Sequence, residues 1–422
     1  MKTTTLMPFA ALLVLSCNGQ VKKEEKEALA KQPANVVHTA IGDITLPPPY
    51  ATASKATRNT MIDWPLGQTP VAPEGFTVTK FADNLNNPRN TYIGPNNDVF
   101  VAESGTRTSV DRITVFRDKD NDGKFETREV FLEGLNRPYG MLILKDYFYV
   151  ANTDGLYRYP YPSGTLKLNT KSEKIVDLPA GGYNNHWTRN LIANPEGTKI
   201  YISVGSGSNV AEHGIEVESR RANILEVNPD GSGERVYAAG LRNPVGMDWN
   251  PVNKELWTAV NERDELGDDL VPDYVTSVKE NGFYGWPYTY FGDIPDPRMK
   301  GKKSGRSEKT LVPDVPVGAH TATLGLAFYN KSNFPAKYRN GIFAGQHGSW
   351  NRSKIVGYKV IFIPFSNGKP SGPPQDFLTG FIANPEKTEV YGRPVDVTVM
   401  ADGSLLVNDD SGNTIWRVSA NK

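Results

Sequence analysis

Leu241-Arg242-Asn243-Pro244-Val245-Gly246-Met247-Asp248-Trp249 is one of six related segments in a chain of 422 residues. Each has a short polar lead-in, a small or turn-forming residue and an apolar strand, then a Gly/Asn/Asp turn and a second strand rich in aromatic and β-branched residues. The other five begin at Leu85-Asn86-Asn87-Pro88-Arg89-Asn90, Leu135-Asn136-Arg137-Pro138-Tyr139-Gly140, His186-Trp187-Thr188-Arg189-Asn190, His320-Thr321-Ala322-Thr323-Leu324-Gly325 and Gly392-Arg393-Pro394-Val395-Asp396. Strand pairs repeated at roughly the spacing of a four-stranded blade predict an all-β, six-bladed β-propeller. Copy spacing is uneven, most of all after the fourth, so a β-sandwich or a solenoid with unequal repeats is the alternative. Helix signals are scarce, because 39 Gly and 31 Pro interrupt nearly every candidate window and apolar residues alternate at period two.

Length alone would suggest two or three domains, but a closed ring of repeats absorbs roughly 350 residues as one. Lys plus Arg equals Asp plus Glu at 47 each, so no global field points to nucleic acid, and charge chemistry must be local. The amino terminus differs in kind. Lys2 precedes an apolar run from Leu6 to Leu15 that is too short to span a bilayer, and the run closes on Val14-Leu15-Ser16-Cys17. Cys17 is the sole cysteine, and its setting resembles a bacterial lipobox; an ordinary signal peptide with an incidental thiol is the alternative. The expected organisation is a lipoprotein-type signal over 1–17, a flexible polar tether over 18–61 and the propeller over 62–422. The chain is then exported and held at a membrane by a lipid anchor, in the periplasm or at the outer membrane.

Residues leading into the innermost strand of each blade converge on one mouth of a propeller's channel. Here those positions supply Arg89, Arg137, His186 with Arg189, Arg242 with Asn243, His320 and Arg393. Clustered guanidinium groups in a partly desolvated mouth suit a ligand with several carboxylates or phosphates. The alternative is that these arginines tie adjacent blades together through backbone carbonyls. His186, in Gly181-Gly182-Tyr183-Asn184-Asn185-His186-Trp187, is a candidate general base on a sugar hydroxyl, because a neutral imidazole accepts a proton near neutral pH.

Two segments suit a hard cation. Asn261-Glu262-Arg263-Asp264-Glu265-Leu266-Gly267-Asp268-Asp269 puts acids and free carbonyls in one irregular loop. Asp118-Lys119-Asp120-Asn121-Asp122-Gly123-Lys124-Phe125-Glu126-Thr127-Arg128-Glu129 matches the twelve-residue calcium loop, with ligands expected from Asp118, Asp120, Asp122, Lys124 and Glu129. Its flanks read as strands rather than EF-hand helices. It is either a structural calcium site or a tight Asp/Gly turn on an outer hairpin.

His186 in its polar loop, Leu241-Arg242-Asn243-Pro244, the acidic loop ending Asp268-Asp269 and Tyr284-Gly285-Trp286-Pro287 together resemble, in order and spacing, the glucose/sorbosone dehydrogenases. The likeness spans roughly Thr77 to Val418. The sorbosone branch is favoured by the acidic loop and by Gly345-Gln346-His347-Gly348-Ser349-Trp350-Asn351-Arg352. This resemblance implies a six-bladed propeller that binds pyrroloquinoline quinone (PQQ) and calcium and oxidises an aldose or sugar aldehyde, passing electrons to an unidentified acceptor. It further implies His186 as base, Arg242 against the reacting quinone carbonyl, and Asn243, Arg393 and Arg89 around the cofactor. Soluble glucose dehydrogenases offer calcium a Gly-Pro carbonyl pair where this chain has Glu262-Arg263-Asp264, so Glu262, Arg263 and Asp269 are the expected metal positions, through backbone carbonyls or water. The family's blade-five Lys has no clear match, leaving His347 or Arg352 to take its place. Two other functions remain: a calcium-dependent sugar lactonase, which wants carboxylate and Asn side chains where these positions are cationic, and a non-catalytic glycan- or protein-binding propeller. Loops 287–310 and 346–353 are expected to wall the pocket.

Overall fold

A computed structural model describes residues 21–105, 109–307 and 309–421. Among them are five four-stranded sheets and one five-stranded sheet, each antiparallel. The inner strands are Pro88–Ile93, Met141–Leu144, Arg189–Ala193, Pro244–Trp249, Thr323–Tyr329 and Pro394–Val399. Each lies within or just after one of the six lead-ins, and each touches the next in a ring that closes from the last back to the first. This is the arrangement of a β-propeller. Ring closure comes from the chain's two ends, because Phe76–Ala82 is the outermost strand of the sheet that carries Thr414–Ala420.

Second strands depart from the alternation expected of half-buried strands. Val99–Glu103, Ile200–Val204, Leu256–Val260 and Leu405–Asp409 are buried at every position. Each lies between two neighbouring sheets, so both of its faces need apolar or paired side chains. Separate cores fill the gaps between successive sheets, such as Phe100, Phe131 and Phe148 between the first two and Phe343, Phe377 and Trp416 between the last two. At the axis Tyr139, Val245, Leu324 and Val395, from four different sheets, meet as an apolar plug. The recurring Gly of the lead-ins has a steric cause. A Cβ on Gly140 would lie 2.5 Å from Leu191 N, and one on Gly246 would lie 2.5 Å from Leu326 N. Inner strands approach too closely there for any side chain.

The signal segment 1–17 and Cys17 lie outside the described residues. The tether expected over 18–61 is corrected by its described part. Lys23–Leu29 is helical, and Asn35–Thr39 pairs with Gly42–Leu46 as a hairpin. Val37 and Leu46 are buried in the core shared with Leu266 and Leu270. Thr60–Met61 pairs in parallel with Glu389–Val390. Polar composition misled here: a few well-spaced apolar residues, each contributing about 1.5–3 kcal/mol on burial, suffice to dock the segment.

The insertion after the fourth copy occupies 278–314, between Pro272–Ser277 and Val315–Ala319 of one sheet. The Asp118 turn joins Arg112–Arg117 to Thr127–Leu132, the outer strands of the first sheet.

Candidate functional site

Four of the six inner strands begin with a register shift against their second strand: at Pro88/Asn90, Pro244/Met247, Thr323/Leu326 and Pro394/Asp396. Such bulges turn side chains out of the ladder, here onto the rim of the channel. The ends of the second strands reach the same rim, because antiparallel partners start and finish together. Acids from those ends answer the arginines, so the mouth is a set of paired charges rather than the cationic ring expected from the lead-ins.

His186 hangs over the third sheet. Its Nδ1 lies 2.9 Å from the Ser206 carbonyl and 2.9 Å from Ser206 Oγ. A carbonyl only accepts, so Nδ1 carries the proton and Nε2 presents its lone pair, with no partner among the described residues. Burial, then the neighbouring Arg242 charge, push the imidazole down to about 3, against the pull of the Ser206 carbonyl and Asp264. Asn243 is buried beside it, and its Oδ1 has no hydrogen-bond partner. A Cβ on Gly205 would stand 2.3 Å from that oxygen and 2.6 Å from His186 Cβ, so glycine is what lets the two side chains share the space.

Arg242 is 1% exposed. Its Nε reaches the Asn209 carbonyl at 3.1 Å, Nη1 the carbonyls of Asn261 and Glu262 at 3.1 and 2.7 Å, and Nη2 reaches Asn209 Oδ1 at 3.0 Å and Asp264 Oδ2 at 3.2 Å. Its N–H groups therefore face protein acceptors instead of being presented to a ligand, which corrects the expected role as a direct donor. Arg242 instead fixes the acidic loop and lends its charge to the mouth. Asp264 also receives His320 Nδ1 at 3.2 Å, while His320 Nε2 meets the Gly267 carbonyl at 2.8 Å. Burial lowers the His320 pKa, but Asp264 and Gly267 outweigh it and the net shift is upward.

A second cluster lies across the mouth. Arg89 pairs with Asp410, stacks over Trp187 at 5.3 Å and keeps a buried Nε without a partner. His347 Nε2 meets the other Asp410 oxygen at 2.8 Å. Burial, then Arg393, hold His347 down to about 4. Asp410 sits well below the carboxylate range, since His347, Arg89 and Arg393 outweigh its burial. Arg393 grips the carbonyls of His347 and Gly348 at 2.9 and 3.1 Å. Its Nη1 has no partner among the described residues.

Other expected residues separate from this assembly. Arg189, fully buried, ties the carbonyls of Pro179, His186 and Thr188 at 2.7–2.9 Å, the backbone-tying alternative. Arg137 has a left-handed backbone at φ +48°. Arg352 does not join the Arg393 cluster; it binds the Asp268 carbonyl and Asp269 Oδ1. The side chains at the metal positions Glu262, Arg263 and Asp269 form no common donor set. The Glu262 carbonyl is held by Arg242, the Arg263 side chain is buried 3.1 Å from Asp296, and Asp269 is exposed against Arg352. Among the described residues, the one group of three or more metal-ligating side chains is Asp118, Asp120, Asp122 and Glu126, with ligand atoms within 4.8 Å. Glu126 replaces the expected Glu129, which lies in the strand Thr127–Leu132. Lys124 sends its Nζ to Asp122 at 2.7 Å. Asn209, Ser206, Asp264 and Asp410 were not foreseen as site residues, and all four follow or lie beyond second strands.

Closed, nearly all-β, and plugged at the axis beside a rim of buried Arg, His and Asp, the chain has the fold of a β-propeller. The chain belongs to the TrAA12-like family, whose model matches residues 70–281 and 296–421. A PQQ-dependent sugar dehydrogenase of Hypocrea jecorina is 23% identical over 408 residues, covering 85% of this chain and 91% of that protein. The PQQ domain of the Coprinopsis cinerea pyranose dehydrogenase, solved in its holo form, superposes with a TM-score of 0.69 at 20% identity, covering 83% of this chain and 97% of that one. A calcium structure of the Trichoderma reesei family AA12 enzyme superposes with a TM-score of 0.70 at 19% identity, covering 86% of this chain and 100% of that one.

Proposed function

We propose that this chain is a PQQ-dependent sugar dehydrogenase, an exported six-bladed propeller in which each large sheet is one blade. The observation that carries the reading is His186: neutral, oriented through Nδ1, and presenting a free Nε2 beside the unpartnered Asn243 Oδ1. The relatives named as sugar dehydrogenases support this reaction class.

The mouth fits an anionic planar cofactor. Arg393 Nη1 is a spare cationic donor for its carboxylates, and Asn243 is a buried amide for its edge. When bound, PQQ supplies the two-electron acceptor for hydride leaving the sugar carbon. His186 Nε2 takes the proton from the hydroxyl on that carbon, while Ser206 holds the ring through Nδ1. Asp264 steadies the imidazolium that forms, and Arg242 and burial make it short-lived, favouring onward release of the proton. The side chains of Glu262, Arg263 and Asp269 offer calcium no joint donor set, since Arg263 lies against Asp296 and Asp269 against Arg352. An aldose or a sorbosone-like sugar aldehyde is the proposed substrate. The acceptor for the electrons is unidentified, and the 1–17 segment with Cys17 is read as the export signal and lipid anchor.

The test is titration of purified protein with PQQ and calcium, followed by absorbance, then dye reduction with a panel of aldoses and sugar aldehydes. Sugar-dependent reduction supports the reading. Verified cofactor loading without any reduction refutes it.

A further inference from the structure

Large aromatic side chains are scarce on the surface. Among the described residues, the exposed ones are Tyr183 at 55% and Trp350 at 51%. Both belong to loops that build the mouth. Tyr183 lies three residues before His186, and Trp350 lies three after His347.

Trp350 is exposed but not loosely held. Its carbonyl accepts from Thr57 N at 2.7 Å, and the neighbouring Asn351 Oδ1 accepts from Glu265 N at 2.9 Å. The backbone at Trp350 and the side chain of Asn351 are therefore held, and the indole stays half exposed. It stands in the wall of a cleft of about 890 Å³ shared with Tyr50, Glu212, Glu265, Arg298 and Asn351, within the ~300–1,000 Å³ of small-molecule sites. The remaining wall is the N-terminal segment, Val21, Lys26 and residues 51–56, pinned where Thr52 Oγ1 and Ser54 Oγ accept from the backbone of Asp268 and Gly267.

This cleft is joined to the mouth through short pieces of chain. Glu212 accepts from Asn209 N at 3.1 Å, and Asn209 holds Arg242. Glu265 follows Asp264, which joins Arg242 to His320. On the far side of Glu212, His213 carries Tyr183 at 4.4 Å between ring centroids. The Trp350 face beside the carboxylates of Glu212 and Glu265 and the Arg298 guanidinium matches a pyranose ring, whose axial C–H face is apolar and whose rim of hydroxyls donates and accepts hydrogen bonds.

We propose that the Trp350 cleft is a subsite for the sugar units behind the one oxidised, so that the preferred substrate is the end of a neutral oligosaccharide rather than a free monosaccharide. The inference rests on the sugar-oxidising reading of His186, but its own readout is binding. Trp350 supplies the stacking platform. Glu212, Glu265 and Arg298 orient hydroxyls, and a single ring at His186 leaves the cleft empty.

Calorimetry on cofactor-free protein with glucose, maltotetraose, cellotetraose and xylotetraose tests this, alongside quenching of tryptophan fluorescence. At least one tetraose should bind tenfold or more tighter than glucose. Trp350→Ala should erase that advantage, and Trp350→Phe, which keeps a ring, should restore most of it. Arg298→Ala provides a second variant independent of the indole, with a several-fold loss expected. In the holoenzyme, Trp350→Ala should raise KM for the tetraose more than for glucose. Equal affinities for glucose and every tetraose, or a tetraose advantage untouched by both Trp350→Ala and Arg298→Ala, overturns the subsite. Tetraose binding that depends on Trp350, with no dye reduction by any sugar, leaves the subsite standing and defeats the dehydrogenase reading instead.

Discussion

Replacing His347 by Gln should change how the protein tolerates acid by an amount the structure allows to be worked out. His347 is held down to about 4 by burial and Arg393, while an unfolded chain's imidazole titrates near ~6.5. Between those values the unfolded state binds more protons than the folded state, so stability falls as pH drops through this window. At a pH of about 5 the loss from this one group is about 2 kcal/mol relative to neutral pH. That is an upper figure, because the side chain is still 13% exposed. Gln does not titrate, and its amide can donate to Asp410 Oδ1 as His347 Nε2 does at 2.8 Å. Urea unfolding of both proteins, free of cofactor, at pH near 7, 6 and 5 gives the comparison. The variant should be the less stable at neutral pH, and the gap should narrow by up to about 2 kcal/mol at the acid end. A gap that stays constant or widens refutes the assignment of His347 as a buried neutral imidazole.

Four further outcomes are expected. His186→Gln should lower kcat by roughly 10²–10⁴-fold, as loss of a positioned base does, with a far smaller change in KM. Arg242→Lys should cost about 3–5 kcal/mol in urea unfolding, since one ammonium cannot span Asn209, Asn261, Glu262 and Asp264; a loss of activity without loss of stability would contradict its loop-anchoring role. Leu46→Ala, at a side chain 3% exposed, should lower stability by about 2–5 kcal/mol, whereas a tether would show no effect. Calcium should raise the unfolding free energy through the Asp118, Asp120, Asp122 and Glu126 turn by about 2.7 kcal/mol at a hundred times the Kd, with a matching rise in Tm; Asp120→Asn with Asp122→Asn should remove that increment and Glu129→Gln should not.

The sequence revealed the ring because each Pro or Gly of the lead-ins answers a geometric demand repeated around the axis. Gly140 and Gly246 mark where neighbouring inner strands nearly touch, and that demand leaves its trace at the same place in more than one copy. His186 and Asn243 were legible for the same reason, since both stand at those places. Asn209, Asp264 and Asp410 were not, because they belong to segments beyond the second strands, whose arrival at the same rim follows from antiparallel pairing and not from any repeat. Arg242 and Arg352 show the other limit: a cation's position is readable from pattern, but whether its N–H groups point at ligand or backbone depends on loops that no periodicity describes. The tether was misjudged because Val37 and Leu46 are two residues in a polar stretch, and only the partner surface at Leu266 and Leu270 gives them weight.

Closure by Phe76–Ala82 against Thr414–Ala420 sets the order of events during synthesis. The strand that completes the last sheet is made early and must wait for the final residues to emerge. Until then an open edge at each end is available to pair with another chain, and the ring has no mouth to bind anything. Folding of the intact ring is therefore governed by contacts of the longest sequence separation in the protein, the regime in which topology slows folding most.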